Sequence, residues 1–109
     1  MDKRKELLDY LRSNHVGREN AVSSTGLEQR FEISGRTVRR MVNRFRQEGH
    51  PVCSDSTGYY LASSQKEINN TVSRLNGLVT GVSNARTGLL QARAVTEPVR
   101  LEITIRINP

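Results

Sequence analysis

At 109 residues, with two Phe, three Tyr and no Trp, the chain is short of the apolar mass that a self-sufficient domain of this size buries. Its 17 basic residues outnumber 11 acidic ones for a net charge of +6, which points to a polyanionic partner. One cysteine, Cys53, with His15 and His50 far apart, excludes a disulfide framework and zinc-ligand spacing, and no phosphate loop, nucleophile elbow or dinucleotide fingerprint is present, so neither an enzyme nor a cofactor is expected.

Asp2 to Asn14 reads as a first helix, with Leu7, Leu8, Tyr10 and Leu11 at helical spacing on one face and a solvated start at Lys3-Arg4-Lys5. His15 to Asn20 is a polar loop containing Gly17, and Ala21-Val22 is expected to add a short strand. Ser23 or Ser24 caps a second helix, Thr25 to Phe31, which turns Leu27 and Phe31 toward a core. Glu32-Ile33 is the turn into Ser34.

Ser34 can cap a third helix and Gly49 can end it. Val38, Met41, Val42 and Phe45 fall at i, i+3, i+4 and i+7, one apolar stripe. The opposite face carries Arg36, Arg40, Asn43 and Gln47, flanked by Thr37, Arg39, Arg44 and Arg46. Arginine's planar fork can grip guanine or a phosphate, and Asn and Gln can pair bidentately with adenine. Charge is concentrated here: residues 34–49 hold five arginines against Glu48 alone, whereas residues 1–33 hold six basic and six acidic side chains. Arg36, Thr37, Arg40, Asn43 and Gln47 are therefore expected to read bases, and Ser34, Arg39, Arg44 and Arg46 to hold phosphates.

Behind this helix, His50-Pro51 breaks the chain and Val52-Cys53-Ser54 reads as a strand. The turn formers Asp55, Ser56, Thr57 and Gly58 follow, and Tyr59-Tyr60-Leu61 returns as a second strand. Ser34, Arg36-Thr37-Val38-Arg39-Arg40, Gly49, Pro51-Val52, Asp55 and Gly58-Tyr59-Tyr60-Leu61 together resemble the winged helix-turn-helix at the N-terminus of the biotin operon repressor and related bacterial regulators. The resemblance implies that the helix after Ser34 is the recognition helix and that the hairpin is the wing. Ser56 and Thr57 would then form its tip, with Gly58 at the tight return and Tyr59 packing on the domain. Met41 stands where an acidic residue is common in that family and Phe45 where an aliphatic one is usual, which leaves the preferred DNA sequence open. The family's ligase activity resides in a separate, larger domain, so no catalytic expectation follows.

From Ser64 a long helix is expected, with Ile68, Val72, Leu75, Val79, Val82 and Leu89 at alternating spacings of four and three. Gly77, Gly81 and Gly88, each costing about 1 kcal/mol relative to alanine, and Arg86 and Arg93 in the seam predict a helix that bends, packs on its own domain or pairs over part of its length. Val99, Leu101, Ile103, Ile105 and Ile107 then alternate with Arg100, Glu102, Thr104 and Arg106, a terminal strand whose apolar face needs a partner.

The expectation is thus an α+β chain: a winged helix-turn-helix over residues 1–63, then a long C-terminal helix and a terminal β-strand over 64–109 for dimerisation or partner binding. The function expected is sequence-specific binding of double-stranded DNA by a small homodimeric transcriptional regulator of a bacterium or its phage. The alternatives are a phage-encoded adaptor or inhibitor that captures a host protein through residues 64–109, and a replication or recombination accessory. The polar start Asp2-Lys3-Arg4-Lys5 is unlike a signal peptide, and no stretch approaches membrane-spanning length, so a cytoplasmic location with no membrane partner is expected.

Overall fold

Side-chain caps set the starts of the first three helices. In α1 (Lys3–Asn14), the Asp2 carboxylate accepts the Arg4 N–H at 3.0 Å. In α2 (Ser24–Phe31), the Ser23 hydroxyl accepts the Gly26 N–H at 3.0 Å. In α3 (Gly35–Gln47), Ser34 accepts the Thr37 N–H at 3.1 Å. α3 ends in a Schellman motif: Gly49 takes φ +91°, its N–H bonds to the Arg46 carbonyl at 3.0 Å, and the His50 N–H reaches the Phe45 carbonyl at 2.9 Å. The turn between α2 and α3 is made by Glu32 in the left-handed region, φ 55° and ψ 51°.

The computed structural model describes residues 2–95, and over them the chain is α+β, with four α-helices and one two-stranded antiparallel sheet. Strands β1 (Val52–Asp55) and β2 (Gly58–Leu61) pair Val52 with Leu61 and Asp55 with Gly58, leaving Ser56-Thr57 as a two-residue turn. The core gathers Leu7 and Leu11 from α1, Leu27 from α2, Val38, Val42 and Phe45 from α3, and Val52 and Leu61 from the hairpin. The apolar stripe read in α3 is thus the buried one, with Met41 only partly covered at its margin.

The short strand expected at Ala21-Val22 contracts to single bridges, Val22 with Tyr59 and Val16 with Leu61. Between these two points the chain turns through Gly17 at φ +90° and a 3-10 turn at Arg18–Asn20, which cannot lie flat along β2.

α4 (Gln65–Gln91) runs as one helix through its three glycines. The chain divides into two compact units between Arg74 and Leu75, inside α4. The reason lies in three side chains of its first turns. Glu67 accepts the N–H groups of Ser63 at 2.8 Å and Arg18 at 3.0 Å, Thr71 accepts the Ser54 N–H at 3.3 Å, and Arg74 reaches the Ser54 hydroxyl. Thr71, 6% exposed, is therefore the buried residue of this helix, while the seam positions Ile68 and Leu75 are half-buried and Val72 is exposed.

From Leu75 onward, Leu78, Val79, Val82, Leu89 and Leu90 stand out into solvent, with Val79 at 68%, Val82 at 71% and Leu89 at 75% exposure. Successive residues are about 100° apart around a helix, so these side chains fall on one half and Gly77, Gly81 and Gly88 on the other, where nothing lies within 4 Å of a Cβ position. Among the described residues no helix is long and apolar enough to cross a membrane. The strand expected at 99–107, with Leu101, Ile103 and Ile105, lies outside the described residues.

Candidate nucleic-acid interface

The face of α3 turned away from the core presents Arg36, Arg40, Asn43 and Gln47 at i, i+4, i+7 and i+11, all exposed. None of the four, nor Arg39 on the flank, makes a hydrogen bond or ion pair within the described residues, so their donors face solvent as a row. Thr37 is half-buried beside them, and its Oγ1 accepts the Ser34 hydroxyl at 3.1 Å. Ser34 itself is committed to capping, since its oxygen accepts the Thr37 N–H while its hydrogen goes to Thr37, which limits its use as the phosphate donor expected of it.

The expected phosphate-holding arginines part company. Arg44 gives Nε to Glu48 at 3.3 Å, but its side chain is 63% exposed and the rest of the fork is open. Glu48 also takes Arg4 Nη1 at 3.1 Å, and although desolvation works the other way, the two guanidiniums hold its carboxyl below the ordinary range. Arg46, expected from the sequence to hold a phosphate, is half-buried: its Nε donates to the Val52 carbonyl at 2.8 Å and its Nη2 to the Ser54 hydroxyl at 3.0 Å. Position 46 lies on the flank of α3 that faces β1, so the guanidinium closes onto the hairpin and becomes a fixed tie. Burial lowers its pKa, and the nearby Arg74 pushes the same way, against Tyr59 and Cys53.

At the hairpin turn, Asp55 organises the backbone. Its Oδ1 accepts the Thr57 N–H at 2.8 Å and the Thr57 hydroxyl, and its Oδ2 accepts Arg18 Nε. Thr57 therefore points its hydroxyl inward, and the free hydroxyl at the exposed tip belongs to Ser56. Gly58 returns the chain at φ +130°, and Tyr59 packs partly buried against the core. The Thr57 hydroxyl first, then the Thr57 N–H and the Arg18 guanidinium, overcome desolvation to hold Asp55 down from 3.8 to about 2. A carboxyl depressed in the folded state stabilises above its unfolded pKa, and that stabilisation is lost as pH falls from 3.8 through about 2. Asp55→Asn is expected to cost about 1 kcal/mol at neutral pH after solvent screening at this rim. It should also flatten the stability profile on the acid side; urea midpoints of the two proteins, measured as pH is lowered, check both, and parallel profiles would refute the latch.

No local pattern in the sequence marks Arg18 or Arg74. Arg18 sits in a polar loop and Arg74 on a helix read for its apolar seam, and the partners of both, Asp55 and Ser54, are far along the chain. Compared with family models, with curated proteins and with solved structures, the chain matches none.

Proposed function

We propose that this chain is a sequence-specific double-stranded DNA-binding protein of the winged helix-turn-helix type, acting as a small dimeric transcriptional regulator. The observation that carries the reading is the row Arg36, Arg40, Asn43 and Gln47 on α3, which makes no side-chain hydrogen bond or ion pair among the described residues and has the donor pattern of base readout. α3 enters the major groove with that row against base edges, Arg39 and Arg44 grip phosphates on either side, and the turn at Ser56-Thr57 touches the flanking backbone. The test is selection of the full chain on randomised duplex DNA at two salt concentrations. An enriched site and a steep salt dependence support the proposal, and weak retention without any enriched sequence refutes it.

Dimerisation falls to α4. Val79, Val82 and Leu89, exposed at heptad spacing, are a seam for a second copy, and pairing two α3 helices gives a two-fold site. Val79→Asn with Val82→Asn is expected to convert the dimer to a monomer in light scattering, leaving half-site contact intact but lowering affinity for the full site. A wild-type monomer that binds the site as well as the variant refutes this assignment. The same exposed stripe favours a second reading, an adaptor that captures another protein's helix, for which loss of the stripe abolishes partner binding and leaves DNA contact unchanged.

A further inference from the structure

Ser54 is an unusual meeting point. Its hydroxyl oxygen accepts Arg46 Nη2 at 3.0 Å and Arg74 Nη1 at 3.2 Å, so two guanidiniums converge on one neutral, buried oxygen. Like charges brought this close repel unless an anion joins them. No carboxylate pairs with either among the described residues: the ion pairs there are Arg4–Glu48, Lys5–Asp9, Arg12–Asp9, Arg18–Asp55 and Arg44–Glu48. Asp55, the acid on the same hairpin, is already engaged by Arg18 and Thr57.

We infer that Arg46, Arg74 and Ser54 form a clamp for one phosphate group of a duplex backbone, an inference that rests on the DNA-binding reading above. The donor inventory suits the two non-bridging oxygens of a singly charged phosphodiester. Arg46 keeps its Nη1 hydrogens and one on Nη2, Arg74 keeps Nε and Nη2, and a Ser54 hydroxyl that accepts two bonds retains its own hydrogen to give. A polar cleft opens beside Ser54 and Arg74, lined also by Ser23, Ser24 and the hairpin from Asp55 to Tyr59; Arg46 lies behind Ser54, outside this lining, and the Asp55 carboxylate in it is taken up by Arg18 and Thr57. The placement also fits a backbone strand. Arg39 and Arg46 lie a heptad apart on the same flank of α3, beside the outward row, so a phosphate chain following that flank reaches Arg46 and then Arg74. The first turns of α4 thereby join the nucleic-acid interface.

The experiment measures binding of the full-length chain to its selected duplex across a salt series, for wild type, Arg74→Gln, Arg74→Lys and Arg40→Ala, with thermal midpoints recorded for each. Arg74→Gln is expected to bind several-fold more weakly with the salt slope shallower by about 0.9, one phosphate contact, and with the enriched sequence unchanged. Arg74→Lys should retain the slope. Arg74→Gln with wild-type affinity and slope, while Arg40→Ala loses binding, overturns the clamp and leaves the α3 reading standing, whatever happens to the midpoint. If Arg40→Ala has no effect either, the DNA-binding reading itself fails. A parallel arm compares midpoints in inorganic phosphate and in chloride at equal ionic strength. Stabilisation by phosphate that needs Arg74, with no change in the DNA salt slope, assigns the site to a free phosphate and overturns the backbone assignment.

Discussion

Gly58→Ala is expected to destabilise the protein by about 3 kcal/mol or more. At φ +130° a side chain is strained, at a cost of roughly 1–3 kcal/mol. The added Cβ would also lie 2.3 Å from the Val22 carbonyl oxygen and 2.6 Å from its carbon, backbone atoms that no rotamer change can move. Overpacking of that kind adds about 1–3 kcal/mol. To admit the methyl group the hairpin must retreat from Val22, and the two backbone bonds exchanged with Tyr59, at 2.9 and 2.8 Å, break with it. Against a total stability on the order of 5–15 kcal/mol, the fraction folded at physiological temperature should fall measurably. Gly49→Ala is the control: φ is +91° but nothing lies within 4 Å, so only the strain of about 1–2 kcal/mol is felt. Urea denaturation of both variants checks the order, and equal midpoints for Gly58→Ala and wild type would sink the close approach.

The double substitution Arg36→Ala with Arg40→Ala is expected to weaken binding to the selected duplex by roughly 10²–10⁴-fold, since each good base contact contributes about 1–3 kcal/mol. Neither side chain has a partner among the described residues and alanine is the better helix former, so stability should stay within about 0.5 kcal/mol of wild type. That separation of effects is the diagnostic. Arg46→Ala should differ in kind, because it strands the Val52 carbonyl and leaves the Ser54 hydroxyl with Arg74 alone, and so lowers stability by about 1–3 kcal/mol as well. Fluorescence anisotropy and thermal melts on the same samples distinguish the two patterns. Retention of both affinity and base preference by the double variant would refute the role proposed for α3.

Tyr10 illustrates a smaller device at the opposite corner. Its ring meets Phe31 edge-on at 5.5 Å and His15 at 4.9 Å, while the Arg30 guanidinium lies over it at 4.9 Å, so α1 and α2 are joined outside the main core by an aromatic contact roofed with a cation. Tyr10 and Phe31 are two of the chain's five Phe and Tyr residues, and both also pack against the edge of the core.

The sequence by itself determined what is decided within one turn of chain. Ser34 caps α3 because its oxygen reaches an N–H three residues on, and Gly49 ends α3 because that step needs positive φ, whereas Asp2 as the cap of α1 and the choice of Ser23 over Ser24 for α2 are seen only in the structure. The stripe from Val38 to Phe45 fixes which side of α3 is buried and hence which residues stand outside. Tertiary structure decided whatever depends on how elements dock. Val22 keeps a single bridge because Gly17 and the 3-10 turn steer the chain away from β2, and Arg46 closes onto β1 because the hairpin passes that flank of α3. Thr71, not an apolar seam residue, is buried in α4, and Arg74 meets Ser54 across an intervening hairpin strand and turn. The reason is the range of the forces involved: caps and periodicity are local hydrogen bonding and geometry, whereas a long side chain's partner is set by packing between segments distant along the chain.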